Sequence, residues 1–257
     1  MIIGANVYLE KLKQNPQFYK NTYTCLEIQD FILPTNLDEN HENIIKQYKA
    51  ILHDYKGIIT LHGPYIDLKP SSFDSMIQQS TKRRFLQALN IAIKLGAKFM
   101  VVHSDYTTTG YYKGYNCFFE KQWICFWNDM IRSFEEAGIT VVIENVHDPN
   151  PSQIQNIISK VNSKFLSPCL DTGHAHALGK SDVVNWLNSY NDKLKYLHIH
   201  DNNGLADQHL ALSKGNINFA NFFTTLKQLK FDGILIFEDL EGLESAKENL
   251  AQLKNYI

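Results

Sequence analysis

Short apolar runs alternate with amphipathic stretches along the whole chain. The runs predict strands at residues 2–7, 24–29, 57–62, 98–103, 139–144, 168–171, 194–200 and 233–238. Several of these runs are nearly continuous in Val, Ile and Leu, which is typical of parallel strands that are covered on both faces. Helical spacing of apolar residues occurs between them at 38–55, 73–95, 118–137, 151–161, 181–191, 218–230 and 243–256, with a shorter helix near 9–20.

The regular alternation of strands and helices predicts a closed parallel barrel of the (β/α)8, or TIM-barrel, type. A chain of 257 residues has the usual length of one such barrel. Gly96 and Gly138 each separate a helical stretch from a strand, where glycine commonly ends a helix. The alternative is a doubly wound open sheet, but no GxGxxG motif follows the first strand. We therefore expect a single domain over residues 1–257, with any active site at the carboxyl ends of the strands.

The composition is that of an ordinary globular protein. The net charge is −2, and only three arginines are present, so strong attraction to nucleic acid or to an anionic membrane is not expected. The chain has no apolar stretch typical of a signal peptide or a membrane span, which favours a cytoplasmic location. The four cysteines form no CxxC pair, and we expect Cys25 and Cys169 to be reduced core residues.

Six of the predicted strands carry a histidine or an acidic residue at or near their carboxyl end. The residues are His62, His103, Glu144, Asp171, His198 and Glu238. Any one of them is explained about as well by a structural hydrogen bond. Because all strands of such a barrel end on the same face, however, six in succession predict a ring of ligands around one pocket. The ring also favours a closed barrel over an open sheet.

Two loops add further candidates to the ring. His174 follows Asp171 by three residues, and Asp207 and His209 lie in the loop after the seventh strand, where a polar loop is the alternative explanation. Nine ligands exceed the shell of one ion and suit two or three, whereas one ion would use only part of the ring, so we expect one to three divalent ions. Carboxylate and imidazole donors without cysteine indicate a catalytic Zn²⁺, Mn²⁺ or Fe²⁺ site and argue against a structural zinc site.

Other polar residues near the ring have two interpretations each. His147 and His176 either line the pocket or are structural, and Lys214 either contacts a phosphate or is an ordinary solvated lysine. His200 alternates with the strand-seven histidine and is expected to point away from the site. The loop 104–117 contains four tyrosines and is either a lid over the site or a self-packed surface loop.

Several motifs resemble those of one known superfamily. They are LHGPYIDL (61–68), VVHS (101–104), VIENV (142–146), CLDTGHA (169–175), LHIHDN (197–202), DQHLALSKGNI (207–217) and IFED (236–239). Together they resemble the xylose isomerase-like TIM-barrel superfamily, also called AP endonuclease family 2, from about residue 57 to residue 240. The motifs are specific for the superfamily but are shared by members that catalyse different reactions.

The isomerase branch of this superfamily implies a metal-dependent isomerase or epimerase that acts on a small sugar, sugar phosphate or polyol through an enediolate. The resemblance implies that one divalent ion is held by Glu144, Asp171, His198 and Glu238. The two glutamates would take and return the carbon-bound proton, and His62 and His174 would contact sugar hydroxyls. The implied partner is therefore a small carbohydrate; the oligomeric state is not predicted.

The endonuclease IV branch implies an alternative, a zinc phosphodiesterase in which all nine residues hold three zinc ions and Glu144 bridges two of them. Asp207 and His209 favour this branch, because isomerases often have an arginine in that loop. The acidic loop 30–43 lacks Lys and Arg and disfavours DNA, although Tyr65 matches a tyrosine that intercalates in endonuclease IV. A third class, a non-catalytic sensor or scaffold, is least favoured because both glutamates are retained.

Overall fold

Eight parallel strands form a closed barrel in a computed structural model that describes residues 1–107, 113–179, 181–238 and 242–257. The strands are β1 (Ile2–Val7), β2 (Cys25–Ile28), β3 (Ile58–His62), β4 (Phe99–His103), β5 (Thr140–Glu144), β6 (Leu166–Asp171), β7 (Tyr196–Ile199) and β8 (Ile234–Phe237). Neighbours in the chain are neighbours in the barrel, and β8 pairs with β1 through Ile2 opposite Ile234. The predicted (β/α)8 barrel is confirmed, and this closing pair excludes the doubly wound open sheet.

Helices connect the strands around the outside of the barrel. They are α1 (Leu9–Gln14), α2 (Pro16–Thr22), α3 (Pro34–Asp38), α4 (His41–Ile51), α5 (Ser75–Leu95), α6 (Tyr115–Ala137), α7 (Ser152–Val161), α8 (Thr172–Ala177), α9 (Val183–Tyr190), α10 (Phe219–Gln228) and α11 (Leu243–Leu253). The predicted helix 38–55 overlaps two helices, α3 and α4, and the helix near 9–20 divides before Pro16. The short α8, directly after β6, was not predicted.

Local sequence signals explain where the longest helices begin and end. Asp74 precedes α5, and its side chain accepts a hydrogen bond from the Met76 amide at 2.8 Å, which satisfies an otherwise unpaired donor. Gly96 ends α5 and Gly138 ends α6, and both adopt left-handed conformations with φ of 73° and 67°. These conformations suit glycine and turn the chain into the next strand.

The barrel interior is apolar at its centre and polar towards the carboxyl ends of the strands. The interior cluster consists of Cys25, Val101, Val142, Cys169, Tyr196, Ile234 and Ile236, all of them buried. Both cysteines in it are unpaired, as expected. Between the strands and the surrounding helices lies a larger apolar core. None of the helices in the described residues is both long enough and apolar enough to span a bilayer.

Candidate metal centre

All nine predicted ligands lie together at the carboxyl end of the barrel. Strands β3 to β6 end on His62, His103, Glu144 and Asp171, and His198 is in β7. Glu238 directly follows β8, His174 lies in α8, and Asp207 and His209 lie between β7 and α10. Seven of the nine line a cavity of about 820 Å³, and Asp171 and His198 lie buried beside it.

Four of these residues form an inner group at the bottom of the cavity. One donor atom each from Glu144, Asp171, His198 and Glu238 lies within 4.8 Å of the others, and all four side chains are buried. The Nδ1 atom of His198 is 3.4 Å from Glu144 Oε2 and 3.2 Å from Glu238 Oε2. Among the described residues, both Glu144 oxygens and His198 Nδ1 have no hydrogen-bond partner. Buried, converging donors without partners fit a divalent cation, because such atoms are costly to leave unpaired.

The imidazole rings around the cavity are oriented by backbone carbonyls. The Nδ1 atoms of His62, His174 and His209 donate to the carbonyl oxygens of Gly63, Asn145 and Glu238, at 2.9, 2.9 and 2.8 Å. Each Nε2 atom is therefore directed at a carboxylate of the site. This arrangement is typical of metal-binding histidines, whose second ring nitrogen is fixed by a hydrogen bond to the protein.

The unpredicted helix α8 places two of the ligands. Asp171 caps this helix, and its Oδ1 accepts a hydrogen bond from the His174 amide at 2.7 Å. The Asn145 side chain accepts from the Asp171 amide and donates to the Asp171 carbonyl, at 2.9 and 3.1 Å. The DTGH sequence thus folds into a capped helical turn that holds Asp171 and His174 on the same side of the pocket.

Two further groups adjoin the inner one. Asp207 Oδ2 lies 3.2 Å from His174 Nε2 and 3.1 Å from His209 Nε2, and these residues form a potential ion site with His200. On the other side, His62 and His103 each place Nε2 3.4 Å from Glu144 Oε2. The arrangement therefore offers donor sets for more than one ion.

The prediction that His200 points away from the site is wrong. Its Nε2 lies 3.1 Å from Asp171 Oδ2, and its ring stacks on the ring of His209 with centroids 3.9 Å apart. Residues two positions apart on a strand share a face, so alternation from His198 places His200 on the same side. The ring has room there only because Gly173 lacks a side chain, since a Cβ atom at that position would lie 1.9 Å from His200 Cε1.

Electrostatics divide the ring into charged and neutral groups. Burial opposes ionisation of Glu144, but the charge of His198 leads a set of histidine contacts that outweighs it and holds the pKa of Glu144 well below its usual range. Burial would lower the pKa of His174, but the charge of Asp171 leads a set of carboxylates that raises it well above the usual value. At His103 burial dominates and lowers the pKa to about 3, so this imidazole is neutral.

Sequence reasoning missed two polar residues of β2 and its end. Glu27 is fully buried inside the barrel, and its Oε2 lies 3.0 Å from His198 Nε2. Gln29 Nε2 donates to Glu238 Oε1 at 2.6 Å. A signal was present, because a charged residue in the middle of an apolar strand is rarely buried without a partner. The short run CLEI therefore indicated a polar contact inside the barrel.

The remaining pocket predictions divide into residues near the cavity and residues away from it. His147 lines the cavity, whereas His176 Nε2 contacts Asn216 Oδ1 at 2.6 Å. Lys214 is half-exposed and forms an ion pair with Glu248, as expected of a solvated lysine. Of the loop 104–117, which the sequence left open as a lid or a self-packed surface loop, residues 108–112 lie outside the described residues. Tyr106, which precedes them, lines the cavity.

Comparison with known proteins identifies the family. Residues 23–256 match the sequence profile of a family described as xylose isomerase-like TIM barrel. The chain belongs to this family. The superfamily resemblance carried by the strand-end motifs is therefore confirmed, and the match extends beyond residues 57–240 towards both ends of the barrel.

The chain is also similar to individual proteins. The uncharacterized protein MJ1614 of Methanocaldococcus jannaschii is 31% identical over 200 residues, which are 76% of this chain and 76% of that protein. A crystal structure of a D-tagatose 3-epimerase-like protein is similar with a TM-score of 0.83 and 24% identity, covering 100% of this chain and 97% of the other. The TTHB071 protein from Thermus thermophilus, soaked with ZnCl₂, gives a TM-score of 0.81 at 22% identity, covering 100% and 98%. At these identities the two structures establish the fold.

Proposed function

We propose that this xylose isomerase-like barrel is a divalent-metal-dependent isomerase or epimerase of a small sugar, sugar phosphate or polyol. The observation that carries the proposal is the inner group of Glu144, Asp171, His198 and Glu238, whose donor atoms converge within 4.8 Å. Two of these residues, Glu144 and Glu238, also line the cavity of about 820 Å³. A cavity of this volume accommodates a small-molecule substrate.

The similar proteins agree with this proposal in two respects. One structural neighbour is a D-tagatose 3-epimerase-like protein, which supports a sugar as the substrate. Another was soaked with ZnCl₂, which supports a divalent ion as the cofactor. The described lining of the cavity contains one lysine, Lys69, but is otherwise rich in acids, histidines and aromatic rings. Such a lining suits hydroxyl groups.

The two glutamates have the placement and the charge for proton transfer. A divalent ion bound by the inner group would supply Lewis-acid polarisation of a hydroxyl and the adjacent carbonyl, and would stabilise the charge of an enediolate. Burial opposes ionisation of Glu238, but His198 outweighs it and holds the pKa of Glu238 below its usual value. Glu144 is likewise ionised, so either carboxylate can take the carbon-bound proton. That proton must then pass to the other glutamate before this residue, as a carboxylic acid, can return a proton to carbon. His62 and His174 line the same cavity and would orient hydroxyl groups.

The proposal is tested with Glu144→Gln and Glu238→Gln, with Glu136→Gln as the matched control on the exposed end of α6. Each enzyme is loaded with Mn²⁺ or Zn²⁺ and incubated with a panel of ketoses, aldoses and their phosphates in D₂O. We expect the wild type and the control to convert at least one sugar and to incorporate deuterium at carbon. Each active-site variant should lose about 10²- to 10⁴-fold in rate, as for removal of a general acid or base.

Metal content must be measured beside the rates, because both glutamates are also proposed ligands. A rate loss with the metal retained supports proton transfer, whereas a rate loss with the metal absent supports a ligand function only. Wild-type rates in either variant contradict the mechanism. If no sugar is converted but one is bound tightly, the non-catalytic alternative is supported instead.

A phosphodiesterase similar to endonuclease IV is the second candidate, and the donor groups beyond the inner one favour it. His174, Asp207 and His209 converge as tightly as the inner group, and so do His62 and His103 around Glu144. Two or three ions held in this way would suit the attacking and leaving oxygens of a phosphodiester. Against DNA as the substrate, the acidic segment 30–43 has no Lys or Arg.

Metal stoichiometry and a nicking assay distinguish the two candidates. About one tightly held ion per chain, by elemental analysis after purification without chelator, favours the isomerase. Two or three zinc ions together with cleavage of an abasic-site duplex favour the phosphodiesterase. In that case Asp207→Asn and His209→Gln should lower both the zinc content and the cleavage rate, while leaving the inner ligands intact.

A further inference from the structure

Glu27 is a buried acidic residue that takes no part in the proposed proton transfer. It lies in the middle of β2 and is fully buried, and its neighbour Cys25, on the same face of the strand, is part of the apolar interior cluster. Burying a carboxylate is costly unless it is paired and hydrogen-bonded. The contacts of Glu27 therefore indicate what this residue stabilises.

One oxygen of Glu27 fixes the ring of His198. Glu27 Oε2 lies 3.0 Å from His198 Nε2 and accepts a hydrogen bond from the Tyr196 hydroxyl at 2.7 Å. A carboxylate oxygen accepts, so His198 Nε2 carries a proton whether or not Nδ1 carries one as well. Nδ1 faces the inner group, 3.2 Å from Glu238 Oε2, and is the nitrogen left to bind an ion once it has released its own proton. Glu27 thus selects the tautomer and the orientation in which His198 is a ligand.

The other oxygen of Glu27 is connected through Gln29 to a second proposed ligand, Glu238, at the end of β8. Gln29 Nε2 donates to Glu27 Oε1 at 3.1 Å and to Glu238 Oε1 at 2.6 Å. The Asn6 side chain in turn contacts Gln29 Oε1 at 3.4 Å. Glu238 Oε2 is left directed at His198 Nδ1. One buried carboxylate therefore orders ligands from β7 and from the end of β8.

We propose that Glu27 is a positioning residue of the metal centre, which holds His198 directly and Glu238 through Gln29. The proposal rests on the metal site of the proposed function, but not on the identity of the sugar. Glu27 does not line the cavity. It also lies within 4.8 Å of His62, His198 and Glu238, but its Oε2 already contacts Tyr196 and His198 Nε2, so it acts through the ligands that it orients. Outer carboxylates of this kind typically change metal affinity by 10- to 100-fold when they are removed.

Metal binding by the full-length apoprotein tests the proposal. Zn²⁺ and Mn²⁺ are titrated separately into the wild type, Glu27→Gln and Tyr196→Phe, in competition with a chelating dye. Tyr196→Phe is the matched control, because it removes a hydrogen bond to Glu27 Oε2 but keeps the carboxylate and its contact with His198. We expect Glu27→Gln to weaken binding about 10- to 100-fold and Tyr196→Phe to have a much smaller effect.

A merely structural role predicts a different result. In that case Glu27→Gln lowers the unfolding temperature of the apoprotein but leaves the metal affinity, and the visible spectrum of the Co²⁺-substituted protein, unchanged. That outcome overturns the proposal. If Glu27→Gln does not fold, Gln29→Met provides the second test, since it keeps the charge and breaks only the connection to Glu238. Wild-type affinity in Gln29→Met then overturns the proposal.

The metal-binding test of Glu27 can be interpreted separately from the test of sugar conversion. A wild type that binds metal, with weakened binding in Glu27→Gln, supports the positioning role even if no sugar is converted, and then only the sugar reaction fails. A wild type that binds neither ion overturns the positioning role and the metal-dependent reaction together.

Discussion

Asp148 is a buried acid whose replacement should make the protein more stable at neutral and alkaline pH. It follows β5, is 1% exposed, and accepts hydrogen bonds from Ser104 Oγ at 3.1 Å and from the Val146 amide at 3.2 Å. These two neutral donors compensate little of the burial cost. Burial therefore raises the pKa of Asp148 from 3.8 to about 7. The substitution to test is Asp148→Asn, which preserves the shape and one acceptor oxygen.

Proton linkage gives the direction and the size of the pH dependence that Asp148 imposes on the free energy of unfolding. Between pH 4 and pH 7 the unfolded chain has lost this proton while the folded chain keeps it, so the free energy of unfolding falls as the pH rises. The slope is about 1.4 kcal/mol per pH unit, which gives about 2.5 kcal/mol between pH 5 and pH 7. Above about pH 8 Asp148 is ionised in both the folded and the unfolded state, and its contribution to the free energy of unfolding is constant. Asp148→Asn has no such dependence.

Urea denaturation of the metal-free wild type and Asp148→Asn at a series of pH values measures this effect. Both proteins contain the same histidine and carboxylate ring, so its titration cancels in the difference between them. We expect the difference, variant minus wild type, to rise by about 2.5 kcal/mol from pH 5 to pH 7 and then to level off. A difference that stays constant across this range would refute the reasoning, because Asp148 would then titrate alike in both states.

Two further predictions concern Gly173 and the metal. Gly173→Ala should lower the free energy of unfolding by about 1–3 kcal/mol, because a Cβ atom would clash with the buried His200 ring; a neutral effect in urea denaturation would show that the ring shifts freely. Removal of bound metal by a chelator should lower the unfolding temperature by roughly 5–10 °C, if the ion was present at about 100 times its Kd. The metal-depleted Asp171→Asn variant should not respond to the chelator, and an equal shift in this variant would contradict specific binding.

The strand-end ligands could be predicted because barrel topology alone brings them together. His62, His103, Glu144 and Asp171 each end a parallel strand, and parallel strands of a closed barrel end on one face. No knowledge of loop conformation is needed for this inference. Their convergence is therefore a property of the sequence pattern, whereas their function as ligands stays a prediction that metal analysis must test.

Three other features could not be predicted from the sequence pattern, each for a different physical reason. Helix α8 is only six residues long and is held by the Asp171 cap, so it leaves no amphipathic period in the sequence. The pattern at 38–55 continues across Asn40, where the backbone leaves the helical region between α3 and α4. The contact between Glu27 and His198 joins strands that are 171 residues apart in the chain, and only the closed barrel brings them together.

The fold holds the inner group more rigidly than it holds the group that contains Asp207. Glu144, Asp171 and His198 are completely buried on strands, and Glu238 is held by Gln29. Asp207 lies in a loop with its side chain 31% exposed, and its carboxylate contacts histidines of the same cavity. Preorganised donors pay less ordering entropy when an ion binds. We therefore infer that the inner group binds the first ion and that any second ion at Asp207 is held more weakly, which is the order that a one-metal isomerase requires.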